Sequence, residues 1–169
     1  LKIAVIGVGY LGHYHALKYS QLDNVDLVSV VDTDHEKAAK LATKLKVQAE
    51  TDYKAILGAV DAVSIAVPTP LHFDIANEFL QKKIHVLVEK PFTSTTSEAD
   101  TLISLAHEHN LVLQVGHLER FNSAYSDLLS HIDEPSFIET HRLAPFKGRG
   151  TEDSVIMDLM IHDIDIILS

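Results

Sequence analysis

The sequence contains no cysteine. A disulfide scaffold, a thiol nucleophile and a cysteine-ligated zinc or iron–sulfur site are therefore excluded. No apolar run approaches the roughly 18 residues that a membrane-spanning helix needs, so no membrane insertion is expected. Positive charge is scarce: 14 Lys and Arg stand against 24 Asp and Glu, a net charge of −10. The basic residues are scattered along the chain, and a nucleic-acid partner, which needs a basic patch, is not expected. An anionic ligand would have to be held by backbone N–H groups or by a few placed cations. What remains is the balance of an ordinary globular protein, 46% hydrophobic and 22% charged over 169 residues. That balance excludes a disordered tail, a collagen-like repeat and a coiled coil. Length allows one sizeable core, or one core and the start of another.

The N-terminal stretch from Lys2 has a charge followed by apolar residues, as a secretory signal does. Three glycines interrupt it and no small-residue cleavage site follows. It reads as a buried strand and turn, and the expected location is the cytoplasm. The chain begins at Leu1 and stops at Ser169 within an apolar run, so part of a longer chain is expected.

Short apolar runs alternate with amphipathic stretches. Runs at Ile3–Ile6, Leu27–Val31, Ala62–Val67, Ile84–Val88 and Leu111–Val115 read as strands. Leu11–Tyr19, Asp34–Leu45, Tyr53–Leu57 and Leu71–Gln81 read as helices, and Thr95 with Glu98 forms a capping box that opens another. Continuous apolar strands alternating with helices predict a parallel sheet covered on both faces, the doubly wound α/β class. The texture changes near Gly116, which predicts a first domain over 1–116 and the beginning of a second, α+β domain over 117–169. In that second part Leu118–Leu129 reads as helix, Phe137–Leu143 as strand, Lys147–Gly150 as loop, and about Asp153–Leu168 as a last helix.

Three constellations carry chemistry. The first is Gly7-Val8-Gly9-Tyr10-Leu11-Gly12, placed between a strand and a helix, with Asp32 at the end of the second strand. This context is the dinucleotide-binding pattern of a Rossmann-type sheet. Gly7 permits the turn, Gly9 admits a pyrophosphate and Gly12 allows close packing. N–H groups near Tyr10 and Leu11 would bind that pyrophosphate. Asp32 would accept hydrogen bonds from the ribose hydroxyls and repel a 2′-phosphate, and Thr33-Asp34 supplies no offsetting cation. NAD is therefore expected rather than NADP. The second is Glu89-Lys90-Pro91 after an apolar strand, where Lys90 either donates to a substrate oxygen or is a surface lysine held by Glu89. The third is a polar stripe, Ser154, Asp158, His162, Asp165 and Ser169, on an otherwise apolar last helix. At about 100° per residue these five fall within roughly 80° of one another. They face either a reactive cavity or solvent; a metal at Asp158 and His162 would lack a third ligand. Elsewhere His72, after Pro68-Thr69-Pro70, could line the crevice, and His13 or His15 could approach the cofactor phosphates. Arg120 could hold a phosphate or carboxylate, or make a structural ion pair.

Together, GVGYLG with Asp32, the AVPTPLH turn, VEKP and Asp158-x-x-x-His162 resemble the Gfo/Idh/MocA oxidoreductase family. The resemblance runs over essentially the whole chain. It implies Lys90, Asp158 and His162 as the catalytic set, with His162 as general base, Lys90 steadying charge on the substrate oxygen and Asp158 orienting. It implies NAD as cofactor, with Val67, Pro68, His72 and Glu89 lining the crevice, and Arg120 and Asp165 toward substrate. The reaction it implies moves a hydride between nicotinamide and a secondary hydroxyl of a sugar, nucleotide sugar or polyol. A non-catalytic NAD(H)-binding sensor or repressor is the alternative. Members are about twice this length, their second domain is an open sheet, and a homo-oligomer is expected of the full-length protein. Where the family often has Thr-Pro-Asn, this chain has Val67-Pro68-Thr69, which retains backbone contacts and loses a hydroxyl one. The stretches VGHLERFNSAY and IETHRLAPFKGRG are similar to a narrower branch acting on UDP-N-acetylglucosamine, in which Pro often stands where this chain has Ser123.

Overall fold

The structure, a computed structural model, describes residues 1–129, 131–133, 135–143 and 154–169. It divides into two compact units, Leu1–Gly116 and His117–Ser169.

The first unit is built on strands β1 (Lys2–Ile6), β2 (Asp26–Val31), β3 (Gln48–Glu50), β4 (Ala62–Ile65), β5 (His85–Val88) and β6 (Leu113–Val115). Helices α1 (Tyr10–Tyr19), α2 (His35–Leu45), α3 (His72–Gln81) and α4 (Thr96–Glu108) connect them. The order across the sheet is β3-β2-β1-β4-β5-β6, every pairing parallel. This is the doubly wound order, and the direction of winding reverses between β1 and β4. Ligands of such sheets bind at the carboxyl ends of the strands beside that reversal. The apolar runs follow from burial on both faces. One cluster packs Ile6, Val63, Ile65, Val86 and Val88 with Phe79, Leu80 and Leu102 of α3 and α4. The other packs Ile3, Val5, Leu27 and Val30 with Ala16, Leu41 and Ala42 of α1 and α2.

Local signals set the helix ends. Asp34 caps α2 by accepting from the N–H groups of Glu36 and Lys37. Thr95 and Glu98 make the expected reciprocal capping box on α4. Each such cap is worth about 1 kcal/mol.

Departures from the sequence reading sit where packing overrides pattern. Strand β3 escapes it, because an edge strand of three mostly polar residues has no apolar run to see. Tyr53–Ile56 and Thr69–Leu71 are 3₁₀ turns. The helix expected over Leu118–Leu129 is a 3₁₀ turn, Leu118–Phe121, followed after Asn122 by α5 (Ser123–Leu129). The strand expected over Phe137–Leu143 does not form, since no described strand pairs with it; Phe137 and Leu143 are exposed. The loop expected over Lys147–Gly150, and the start of the last helix at Asp153, lie outside the described residues. The last helix opens with a π-helical turn, Ile156–Met160, and continues as α6 (Ile161–Leu168).

Candidate functional site

The crevice starts at the turn between β1 and α1. Gly7 has φ +82°, and a Cβ there would stand 2.5 Å from the Ala66 carbonyl oxygen. A Cβ on Gly12 would collide with the Gly7 carbonyl oxygen. Both glycines are thus demanded by the chain itself. Gly9 is different: a Cβ there meets nothing within 4 Å, and its φ, −63°, lies on the side that L-residues adopt. The fold gives no internal reason for glycine at 9. Open space beside the uncapped start of α1 fits a pyrophosphate close to the backbone.

Asp32 closes the turn from β2. Its Oδ2 accepts the N–H of Val8 at 2.8 Å, and its Oδ1 accepts the N–H of Asp34 at 2.9 Å. A carboxylate offers about four lone-pair directions, so acceptor capacity remains for ribose hydroxyls. A cation overlooked in the sequence lies nearby. Lys37, one turn into α2, pairs with Asp34 at 3.1 Å. Its ammonium is held above the ordinary lysine range by the hydrogen bond and charge of Asp34, then by the charge of Asp32. One ammonium between two carboxylates leaves the ribose corner negative.

Val67, Pro68, Glu89 and Lys90 follow the ends of β4 and β5, the neighbouring strands. His72, at the start of α3, is 1% exposed. Its Nδ1 lies 2.8 Å from the Pro91 carbonyl oxygen and its Nε2 2.8 Å from that of Val67. The ring therefore lies between the two loops; a neutral imidazole donates to one of the oxygens, an imidazolium to both.

Glu89 is 4% exposed. Its Oε1 lies 3.0 Å from His15 Nε2, close enough for an ion pair though off the line of a hydrogen bond. His15 Nδ1 lies 2.7 Å from the Oγ of Ser64, a fully buried serine of β4. His15 thus faces the sheet, not the cofactor phosphates. Tyr19 joins the cluster. Its phenol is pushed up by burial, drawn down by a hydrogen bond with Ser64 and pushed up by the charge of Glu89. Sequence reasoning missed this cluster. Its signal was a serine inside an apolar strand and a histidine three residues past Gly12.

In the second unit the polar stripe divides. Asp165, 9% exposed, is gripped by Arg120: Nε to Oδ2 at 2.8 Å and Nη2 to Oδ1 at 2.5 Å. Arg120 holds the Asp165 carboxyl below the usual range against the opposing effect of burial; His117, whose Nδ1 is 3.7 Å away, helps. Asp163 is held down in the same way by Arg142, whose Nη2 donates to it at 2.8 Å. Ser169 Oγ lies 2.6 Å from the Tyr125 hydroxyl. The structure thus brings the two expected substrate residues, Arg120 and Asp165, onto each other, with the Arg120 side chain still about half exposed. Asp158 lies in the π-helical turn and His162 in the first turn of α6. A π turn takes i→i+5 bonds, so the plain α-helical spacing assumed between them does not hold. Lys90 belongs to the first unit, and Asp158 and His162 to the second. Among the described residues no group of three or more His, Asp or Glu is placed to hold a metal ion, and no helix is long and apolar enough to cross a membrane.

A family model described as an oxidoreductase family with an NAD-binding Rossmann fold, Gfo/Idh/MocA, matches residues 1–117. The UDP-N-acetylglucosamine 3-dehydrogenase of Acidithiobacillus ferrooxidans is 46% identical over 169 residues, covering 99% of this chain and 53% of that protein. A solved structure of that enzyme superposes with a TM-score of 0.91 over 99% of this chain and 56% of its own. The scyllo-inositol 2-dehydrogenase (NAD(+)) of Bacillus subtilis is 28% identical, covering 98% of this chain and 52% of that protein. The structure of GenD2 from gentamicin A biosynthesis, in complex with NAD, is 32% identical with a TM-score of 0.76, over 78% of this chain and 38% of its own. The chain spans about half the length of the curated relatives it matches.

Proposed function

The chain belongs to the Gfo/Idh/MocA family of oxidoreductases, with an NAD-binding Rossmann fold, and from that premise we propose that the protein oxidises a secondary hydroxyl of a nucleotide sugar, with UDP-N-acetylglucosamine, at C3, as the leading candidate. The observation that carries the cofactor half is the open cradle at Gly9 beside Asp32. The substrate half is supported by 46% identity to a UDP-N-acetylglucosamine 3-dehydrogenase over nearly the whole chain.

Bound NAD supplies the hydride acceptor. The chain's own residues do the rest. N–H groups at the start of α1 bind the pyrophosphate, and Asp32 takes the ribose hydroxyls and disfavours a 2′-phosphate. At the turn the Val67 carbonyl faces His72 and the Pro68 carbonyl accepts the N–H of Leu71, so the Val67 N–H is the backbone group that would serve the nicotinamide end. Lys90 donates to the substrate oxygen and stabilises the negative charge that develops there. His162 accepts the hydroxyl proton as general base. Asp158 orients the substrate.

The test follows NADH formation from NAD and UDP-N-acetylglucosamine by the full-length protein, with the ketone trapped. A signal lost in Lys90→Ala is expected. His162→Ala should lower turnover about 10²- to 10⁴-fold and leave NADH binding intact. Silence despite NADH binding would remove the nucleotide-sugar reading in favour of free sugars and inositols. Silence with those as well would leave an NAD(H)-binding sensor or repressor.

A further inference from the structure

Both neighbours of Lys90 are seated by side chains from elsewhere in the first unit. Pro91, which follows it, is fully buried, with its carbonyl oxygen against His72 Nδ1. Glu89, which precedes it, carries a buried carboxylate, costly unless a partner offsets the lost hydration. The group facing Oε1 is His15 Nε2 at 3.0 Å. The His15 ring is itself oriented by Ser64, which is fully buried and so has no competing water. The other oxygen, Oε2, accepts the backbone N–H of Lys90 at 3.3 Å. Behind the carboxylate lies Gly116, where a Cβ would stand 2.9 Å from the Glu89 carboxyl carbon. The carboxylate therefore fills the space beside Gly116 and is faced by His15. The Lys90 backbone leaves from that point.

We propose that His15 is a positioning residue for Lys90, acting through Glu89. The inference rests on the reading of Lys90 as the group that touches the substrate oxygen. Without His15 the Glu89 carboxylate loses the group that faces Oε1 and turns toward water. Because Oε2 holds the Lys90 N–H, that turn moves the backbone from which Lys90 extends. Reacting groups tolerate little displacement: about 1 Å can cost on the order of 100-fold in rate.

The experiment compares His15→Ala, His15→Gln and Lys90→Ala in the full-length protein, with two readouts. The first is backbone hydrogen exchange over residues 89–92, which needs no substrate. His15→Ala should speed exchange there about tenfold or more while β1 stays protected. The second is turnover with NAD and UDP-N-acetylglucosamine. His15→Ala should lower kcat about 10- to 100-fold, with KM and the NADH Kd within about threefold. His15→Gln, which keeps a polar group toward Glu89, should recover part of both, and it carries the test if His15→Ala does not fold. Phe79→Leu, a core change distant in role, should lower stability and leave kcat alone. Unchanged exchange over 89–92 overturns the inference, whatever the substrate. Unchanged kcat in His15→Ala beside a dead Lys90→Ala overturns it as well, and only it. Full turnover in Lys90→Ala removes the catalytic reading of Lys90 and this inference together.

Discussion

The backbone N–H of Val8 donates to Oδ2 of Asp32 over 2.8 Å. The glycine turn and the end of β2 are thereby one unit. The carboxylate expected to recognise a ribose also holds the loop expected to carry the pyrophosphate. A change at either residue reaches the other.

Asp32→Ala should therefore weaken NADH binding about tenfold or more, since a hydrogen bond to a charged group is worth about 1.5–3 kcal/mol. Removing its charge should also narrow the preference for NADH over NADPH. Titration calorimetry with both cofactors checks this. An unchanged ratio would show that the preference arises elsewhere.

Gly9 and Gly12 separate ligand demands from fold demands. Gly9→Ala has space and a φ on the side that L-residues adopt, so its stability should stay within about 0.5 kcal/mol of the parent. Its NADH affinity should nevertheless fall at least tenfold or so, because the methyl group occupies the cradle. Gly12→Ala meets a backbone carbonyl and should cost about 3 kcal/mol in stability. Thermal melts with and without NADH read both effects. Wild-type affinity in Gly9→Ala would place the pyrophosphate elsewhere.

Asp165 should make the second unit acid-sensitive. Its carboxyl is held below the ordinary range, first by the hydrogen bonds from Arg120. A depressed folded pKa contributes stability that is fully present above the unfolded value, near 4. That contribution is lost as pH falls from there through the folded value. Hydrogen exchange over residues 161–168 should rise as pH drops below about 4, after correction for the intrinsic rate. In Asp165→Asn that acid-induced rise should be absent. The same rise in the variant would assign it to other carboxylates.

Much of the first unit was legible because its signals are local. A strand buried on both faces must be apolar along its length, so β1, β2, β4 and β5 show as runs. Capping is a matter of three or four residues, and Thr95 and Glu98 announce themselves. Strand β3 was hidden because its pairing partner, and not its composition, makes it a strand. For the same reason Phe137–Leu143 looked like a strand and is not one. The π-helical turn at Ile156–Met160 left no mark that a 3.6-residue period could reveal.

The candidate site divides along the same line. The parallel α/β class, the glycine turn with its acid, and a short list of candidate residues could be read from the chain alone. Each of these depends on neighbours a few positions apart or on a repeating period. Which groups meet was settled only by packing. It set His15 against Glu89, locked Arg120 onto Asp165, and buried the His72 ring between the Val67 and Pro91 carbonyls. Such contacts join residues far apart in the chain. Their strength depends on burial and distance, and neither quantity exists until the sheet and its helices close.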